Sequence, residues 1–192
     1  MRGSTISRTT KETAISLSLN LDGTGKSNIS TGIGFLDHML TLFSFHSGID
    51  LTVECNGDIQ VDDHHTTEDI GLALGQALLE ALGDKKGLNR YGSSYVPMDE
   101  TLARVVVDFS GRPYLVYNAK IEREKVGMLD TQNVKEFFKS VSNEAKMNCH
   151  MEVLYGENDH HKIEALFKAF GRSVREACEI VSNEIPSTKG VL

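Results

Sequence analysis

The sequence predicts an α+β fold of two pseudo-symmetric halves, each a β-sheet backed by two helices, produced by internal duplication. Three observations carry this. Glu12-Thr13 leads into alternating Ile15, Leu17, Leu19 and Leu21 and then Gly23, while Glu100-Thr101 leads into Ala103, Val105, Val107 and Phe109 and then Gly111. Leu51, Val53 and Cys55 align with Cys149, Met151 and Val153 at a constant offset. His64-His65-Thr66-Thr67-Glu68 lies over His160-His161-Lys162-Ile163-Glu164 at nearly the same offset.

Taken in order, the period-two run after Glu12 reads as a half-buried strand. Phe35–Leu40 aligns with Asn133–Phe138, marking one helix in each half, and a further strand follows at Leu51–Cys55. Ile70, Leu74, Ala77, Leu78 and Ala81 form a helical stripe that stops at Gly83, a residue suited to a C-terminal cap. In the second half the stripe is Ile163, Phe167, Phe170, Val174, Ala177 and Val181, with Pro186 beyond it. Each half therefore reads strand, strand, helix, strand, and a second helix opened by His-His-x-x-Glu. The halves are residues 1–90 and 91–192, meeting near Leu88–Ser94 without a flexible linker and together forming one compact unit.

The chain's 192 residues are 40% hydrophobic, enough for a packed core. Twenty Lys and Arg face 27 Asp and Glu, with no long basic run, which disfavours a nucleic-acid surface. No apolar stretch is long enough to span a bilayer, and residues 1–20 lack the apolar region of a signal peptide. Cys55, Cys149 and Cys178 are odd in number and widely spaced, which fits a cytoplasmic protein and excludes a thiolate zinc site. No Walker motif or GxGxxG is present.

The histidine doublets carry the chemistry. On a helix His64 and Glu68 share a face, and His65 is turned about 100° away. Adjacent histidines therefore point toward different centres. One such doublet would more often be a polar helix start, with Asp62, Asp63 or Asp159 as caps. Two doublets, each followed by Glu at the same distance in a repeat, instead indicate two metal ions. Imidazole and carboxylate without thiolate favour Mn²⁺, Fe²⁺ or Zn²⁺, and six-coordination with open positions favours Mn²⁺. His38 and Glu136 are repeat mates that could complete the two shells. His150 has no ligating counterpart and reads as a solvent-facing strand residue or a partner of a ligand. His46 follows the helix that carries His38 and belongs near the pocket.

Gly34–Met39, Asp62–Asp69, Met98–Thr101, Asn158–Ala169 and Pro186–Leu192 together resemble the signature segments of imidazoleglycerol-phosphate dehydratases, nearly from end to end. One departure is Glu136, in Val134-Lys135-Glu136-Phe137-Phe138, where the family usually has His. The resemblance implies dehydration of imidazoleglycerol phosphate to imidazoleacetol phosphate in histidine biosynthesis, with two Mn²⁺ ions, a dimetal-bound imidazolate and a diazafulvene intermediate. It implies metal ligands at His38, His64, His65, Glu68, Glu136, His160, His161 and Glu164. Substrate contacts are implied at Glu12, the stretch from His38 to His46, Arg90, Arg112, Lys168, Ser187 and Lys189. It also implies a large homo-oligomeric shell of roughly 24 copies with sites between subunits.

The repeat suggests one ion on His64, Glu68 and His161 and the other on His160, Glu164 and His65, an assignment that could be permuted. Glu12 is the expected acid/base, with His46 or a metal-held water assisting. Arg90, Arg112, Lys168 and Lys189 would bind the phosphate dianion. Two rivals are weaker. A binuclear hydrolase would carry HExxH or Asp-rich ligands, and a ferritin-like store would need a four-helix bundle that the strand repeats oppose.

Overall fold

The computed structural model describes residues 2–192. The first half runs β1 (Gly3–Thr9), β2 (Thr13–Asn20), β3 (Ser27–Ser30), α1 (Gly34–Ser47), β4 (Asp50–Gly57) and α2 (His64–Leu82). The second repeats it as β5 (Tyr91–Met98), β6 (Thr101–Asp108), β7 (Tyr114–Asn118), α3 (Gln132–Glu144), β10 (Asn148–Tyr155) and α4 (Asp159–Ala177). Only the second half inserts a hairpin, β8 (Lys125–Val126) and β9 (Leu129–Asp130), before its first helix. The two sheets have equivalent orders, β1-β2-β4-β3 and β5-β6-β10-β7, with only the β3–β4 and β7–β10 pairs parallel.

Each four-stranded sheet thus holds one strand more than the sequence pattern marks. The first strand, β1, lies at a sheet edge and buries only Ile6. The short strand β3, Ser27–Ser30, has no buried side chain, so neither shows the apolar alternation that reveals a strand. By contrast β2 buries Thr13, Ile15, Leu17 and Leu19 in strict alternation. A second correction concerns the last helix, which ends at Ala177. Val181, expected on its stripe, is exposed and donates its backbone N–H to Gly87 O instead.

The architecture is four-layered, sheet on helices on helices on sheet. Helices α1 and α2 line the first sheet, and α3 and α4 line the second. In the middle, α1 packs on α4 and α2 on α3, so every helix–helix contact layer joins one half to the other. Glycines set these approaches. A Cβ at Gly75 of α2 would stand 2.6 Å from Val141 O, and one at Gly171 of α4 would stand 2.9 Å from Phe43 O. Phe43, Phe137, Phe138, Phe167 and Phe170 fill the centre as one aromatic cluster contributed by both halves. The two halves share one core, and neither buries its helices alone. No helix among the described residues is long and apolar enough to cross a membrane.

Candidate functional site

Both histidine doublets open a helix, as the spacing predicts. Asn158 caps α4, while at α2 the N-cap residue Asp63 makes no side-chain cap bond and Asp62 bonds the opening N–H instead. Asn158 Oδ1 accepts from the backbone N–H of His160 at 2.9 Å, and Asp62 Oδ1 accepts from His64 N–H at 2.8 Å. Asp63 and Asp159 are instead buried, bonded to backbone amides of the segment between β7 and α3.

The crossed helix packing brings His38 of α1 to the start of α4. His38 Nε2 lies 3.3 Å and His160 Nε2 3.0 Å from Glu164 Oε2. Among the described residues these three form the one group of His, Cys, Asp or Glu whose ligand atoms all fall within 4.8 Å of one another. Lys168 Nζ contacts the other oxygen of Glu164 at 2.5 Å. Burial pushes the Glu164 carboxyl up, but Lys168, His160 and His38 outweigh it and hold the group below its usual value. Two imidazoles and an ionised carboxylate, with room on the solvent side of His38, are a fitting donor set for a hard-to-borderline divalent ion.

The related cluster in the other half is looser. His64 Nε2 is 3.7 Å from Glu68 Oε2, and its Nδ1 lies 2.9 Å from Oδ1 of the buried Asn133 on α3. Glu136, the repeat mate of His38, pairs with Lys139 at 2.9 Å. The second histidine of each doublet faces a different carboxylate. His65 Nδ1 meets Asp58 at 3.0 Å, which raises the imidazole's pKa, and its Nε2 lies 3.7 Å from Glu12. His161 Nδ1 meets Glu100 at 2.8 Å. Within one chain, therefore, His160 and Glu164 are joined by His38 rather than by His65. Asn133, Asp58 and Glu100 were not expected as partners. Only Glu100 left a signal, as the repeat mate of Glu12.

A second cluster lies elsewhere. Arg90, Arg112, Ser187 and Lys189 line one cavity of about 440 Å³, with the C-terminal tail forming its wall. Arg90 adopts a left-handed φ of 74°, held by its N–H donating to Ala177 O at 2.9 Å. Its guanidinium clasps Asp108 through Nε at 2.7 Å and Nη2 at 3.1 Å, and donates through Nη1 to Pro186 O at 2.8 Å. Lys168 is not there; it belongs to the Glu164 cluster. His46, on the last turn of α1, lines a separate cavity of about 330 Å³ with Arg172 and Arg175. Burial first, then Lys168 and Arg172, lower its pKa. His150 is exposed on β10.

These clusters sit at opposite ends of one half. Glu100 and His161 lie at the β5–β6 turn, and Arg90 and Asp108 at the far end of that hairpin. At about 3.3 Å per residue, β5 separates the ends by about 23 Å. Helix α4, rising about 1.5 Å per residue from His160 to Ala177, gives about 26 Å.

The family model for imidazoleglycerol-phosphate dehydratase matches residues 31–174. A Clostridioides difficile (strain 630) protein of that name is 59% identical over 187 residues, 97% of either chain. The crystal structure of the Staphylococcus aureus subsp. aureus N315 dehydratase is 51% identical, covers 93% of this chain and 99% of its own, and superposes with a TM-score of 0.85. A Pyrococcus furiosus homologue reaches the same TM-score at 38% identity, over 97% of this chain and 100% of its own. The chain belongs to the imidazoleglycerol-phosphate dehydratase family and is a dehydratase of histidine biosynthesis.

Proposed function

We infer that the chain dehydrates imidazoleglycerol phosphate to imidazoleacetol phosphate with two Mn²⁺ ions, at sites that two copies of the chain complete together. The observation that carries this is the separation just described. Imidazole and phosphate in this substrate are fewer than ten bonds apart, about 10 Å at most. One chain keeps its His38–His160–Glu164 group and its Arg90–Arg112–Ser187–Lys189 cavity more than twice that distance apart. A substrate gripped at both ends needs the histidines of one copy and the cations of another. This favours the large homo-oligomer over a monomer.

His38, His160 and Glu164 would hold one ion, and His64, Glu68 and Glu136 would supply ligands for the other; His65 and His161 fill remaining positions from neighbouring copies. When bound, such ions act as Lewis acids that lower the N–H pKa of the substrate imidazole. The residues of the chain do the rest. Arg112, Lys189 and Ser187 fix the phosphate and so aim the glycerol carbons. Loss of hydroxide from the carbinol next to the ring leaves a diazafulvene, and the C–H on the following carbon then becomes acidic. Glu12, exposed at the β1–β2 turn and 3.7 Å from His65, takes that proton as the general base. His46 assists through the neutral imidazole that its surroundings favour. Unpaired thiols at Cys55, Cys149 and Cys178 suit a cytoplasmic enzyme.

Two experiments test this. The purified protein, chelated and then resupplied with Mn²⁺, should form imidazoleacetol phosphate only with metal. His160→Ala and Arg112→Ala should each be inactive alone, yet co-expressed they should give active mixed oligomers, because an intact half-site of one chain can meet an intact cavity of the other. Mixed oligomers without activity would place the whole site within one chain and overturn the two-copy reading.

A further inference from the structure

Asp63 and Asp159 each precede a histidine doublet, yet neither side chain caps its helix and neither points at a histidine. Both are buried, and both bind the same stretch of chain, the segment 119–131 that the first half lacks. Where β3 connects to α1 through three residues, β7 connects to α3 through thirteen. Asp159 Oδ2 accepts from the backbone N–H groups of Glu122 at 3.0 Å and Arg123 at 2.8 Å, at the segment's entry. Asp63 Oδ2 accepts from Asp130 N–H at 2.7 Å, at its exit. The buried Lys162 strengthens the first grip, bonding Asp159 Oδ1 at 2.8 Å and Lys120 O at 3.2 Å.

Between these anchors the segment is self-closed. Thr131 N–H and Oγ1–H donate to Glu124 O and Arg123 O, at 2.8 Å and 2.6 Å. Val126 and Leu129 are buried beneath it. At the hairpin tip a Cβ on Gly127, whose φ is +60°, would stand 3.4 Å from Phe35 Cβ. Phe35 in turn sets its ring edge-on to His160, centroids 5.0 Å apart, and lies 6.4 Å from the His38 ring. One strut therefore bonds to the start of α2 and the start of α4, and its tip at Gly127 comes close to Cβ of Phe35, the residue whose ring packs on His160.

We propose that segment 119–131 is a shared strut, with Asp63 and Asp159 as positioning residues, that couples the two histidine doublets so that loosening one end disorders the other. The repeat explains why it is needed. Each doublet sits on its own helix against its own sheet, and the halves meet through the α1–α4 and α2–α3 pairs. The metal arm of the test rests on the Mn²⁺ reading above; the exchange arm does not.

Asp63 is the cleaner place to cut, because removing Asp159 would strand the buried Lys162 ammonium. In the full-length protein, Asp63→Ala should speed amide hydrogen exchange at the segment's exit and also at Glu122, Arg123, His160 and His161, which Asp63 does not touch. Asp63→Asn, which keeps an oxygen for Asp130 N–H, should restore protection. The same Asp63→Ala protein should bind Mn²⁺ at least about tenfold more weakly, read from the spectrum of the free ion. If Asp63→Ala does not fold, Gly127→Ala replaces it. That substitution leaves both aspartates in place, strains the hairpin tip at its φ of +60°, and should speed exchange at Glu122, Arg123 and Asp130 together. Faster exchange confined to residues 128–131 and the start of α2, with 119–123 and α4 unchanged, would overturn the strut. Failure of the unsubstituted protein to bind Mn²⁺ would overturn the metal reading alone, and the exchange pattern would still decide the strut.

Discussion

Glu100 holds the imidazole of His161 through a 2.8 Å contact to Nδ1, and it does so from the turn that joins β5 to β6. Backbone N–H groups of Asn158 and Glu157 donate to the same carboxylate at 2.8 Å and 3.1 Å. The Asn158 amide is the strongest influence and His161 the next, and together they hold Glu100 far below the usual carboxylate range. These donors favour the ionised carboxylate, which keeps Nδ1 of His161 as the donor. That leaves Nε2 free for a metal.

Glu100→Gln should accordingly weaken Mn²⁺ binding by about 10- to 100-fold, the usual cost of removing the partner of a ligating imidazole. Titration with Mn²⁺ checks it. The pH dependence has a fixed sign. A carboxyl whose folded pKa is depressed contributes stability above its ordinary value of 4.5, lost as pH falls through the lower folded value. Acid unfolding of Glu100→Gln should thus be less steep than that of the unsubstituted chain.

His46 gives a handle of the same sign in a higher pH range. Its folded pKa lies below 6.5, so between the two values the unfolded chain binds the extra proton. Stability falls as pH drops from the ordinary histidine range toward the folded pKa, and levels off below it. His46→Gln should remove that part of the slope, seen in denaturant melts at pH 7.5 and 5.5.

Gly75→Ala sets two effects against each other. Alanine is about 1 kcal/mol better than glycine inside a helix. At Gly75, however, the new methyl would meet Val141 O at 2.6 Å and Glu144 Cβ at 2.8 Å, both on a helix backbone or close to it. Overpacking of this kind costs about 1–3 kcal/mol. The substitution should be neutral to destabilising by about 2 kcal/mol in urea unfolding. A stabilised protein would mean that α2 and α3 separate more easily than their packing indicates.

Much of this was legible in the sequence, and the missing parts share a cause. The duplicated strands and helices announce themselves because β2, β6 and α4 each bury one face with a regular period. Edge strand β1 and the short β3 have no such face, so the ladder register alone defines them. At the site, residue types and spacing identify the doublets but not what each imidazole touches. His38 reaches Glu164 across 126 residues because α1 crosses to α4, and Asn133 reaches His64 because α3 crosses to α2. That crossing depends on close approach at Gly75 and Gly171, a tertiary property with no period of its own. Arg90, Arg112, Ser187 and Lys189 line one cavity, which no periodicity marks, while Lys168 contacts Glu164.

Asp108 decides how Arg90 serves the cavity. Three contacts, two to Asp108 and one to Pro186 O, already occupy the Arg90 guanidinium. Asp108→Ala should let the tail carrying Ser187 and Lys189 drift, raising KM about tenfold or more with kcat nearly unchanged, as loss of a charge-assisted hydrogen bond does. A lower KM would show instead that the released Arg90 grips phosphate better alone.

Removing metal should act on assembly as well as on turnover. The Glu68 and Glu164 carboxylates sit close to half-exposed imidazoles at the helix starts. If neighbouring copies share the ions, folding, metal loading and association are linked, and ligand loss shifts the assembly equilibrium. Treatment with EDTA at pH 7.5 should convert the large oligomer proposed above to smaller species in light scattering, and Mn²⁺ should restore it. The same dissociation should follow a drop in pH without chelator, because protonated imidazoles cannot bind metal. His65, with Asp58 raising its pKa, should be among the first to protonate. A chelated protein that keeps its full mass would locate the assembly contacts away from the metal ligands, leaving the two-copy site to stand on the distance between its histidines and its cations.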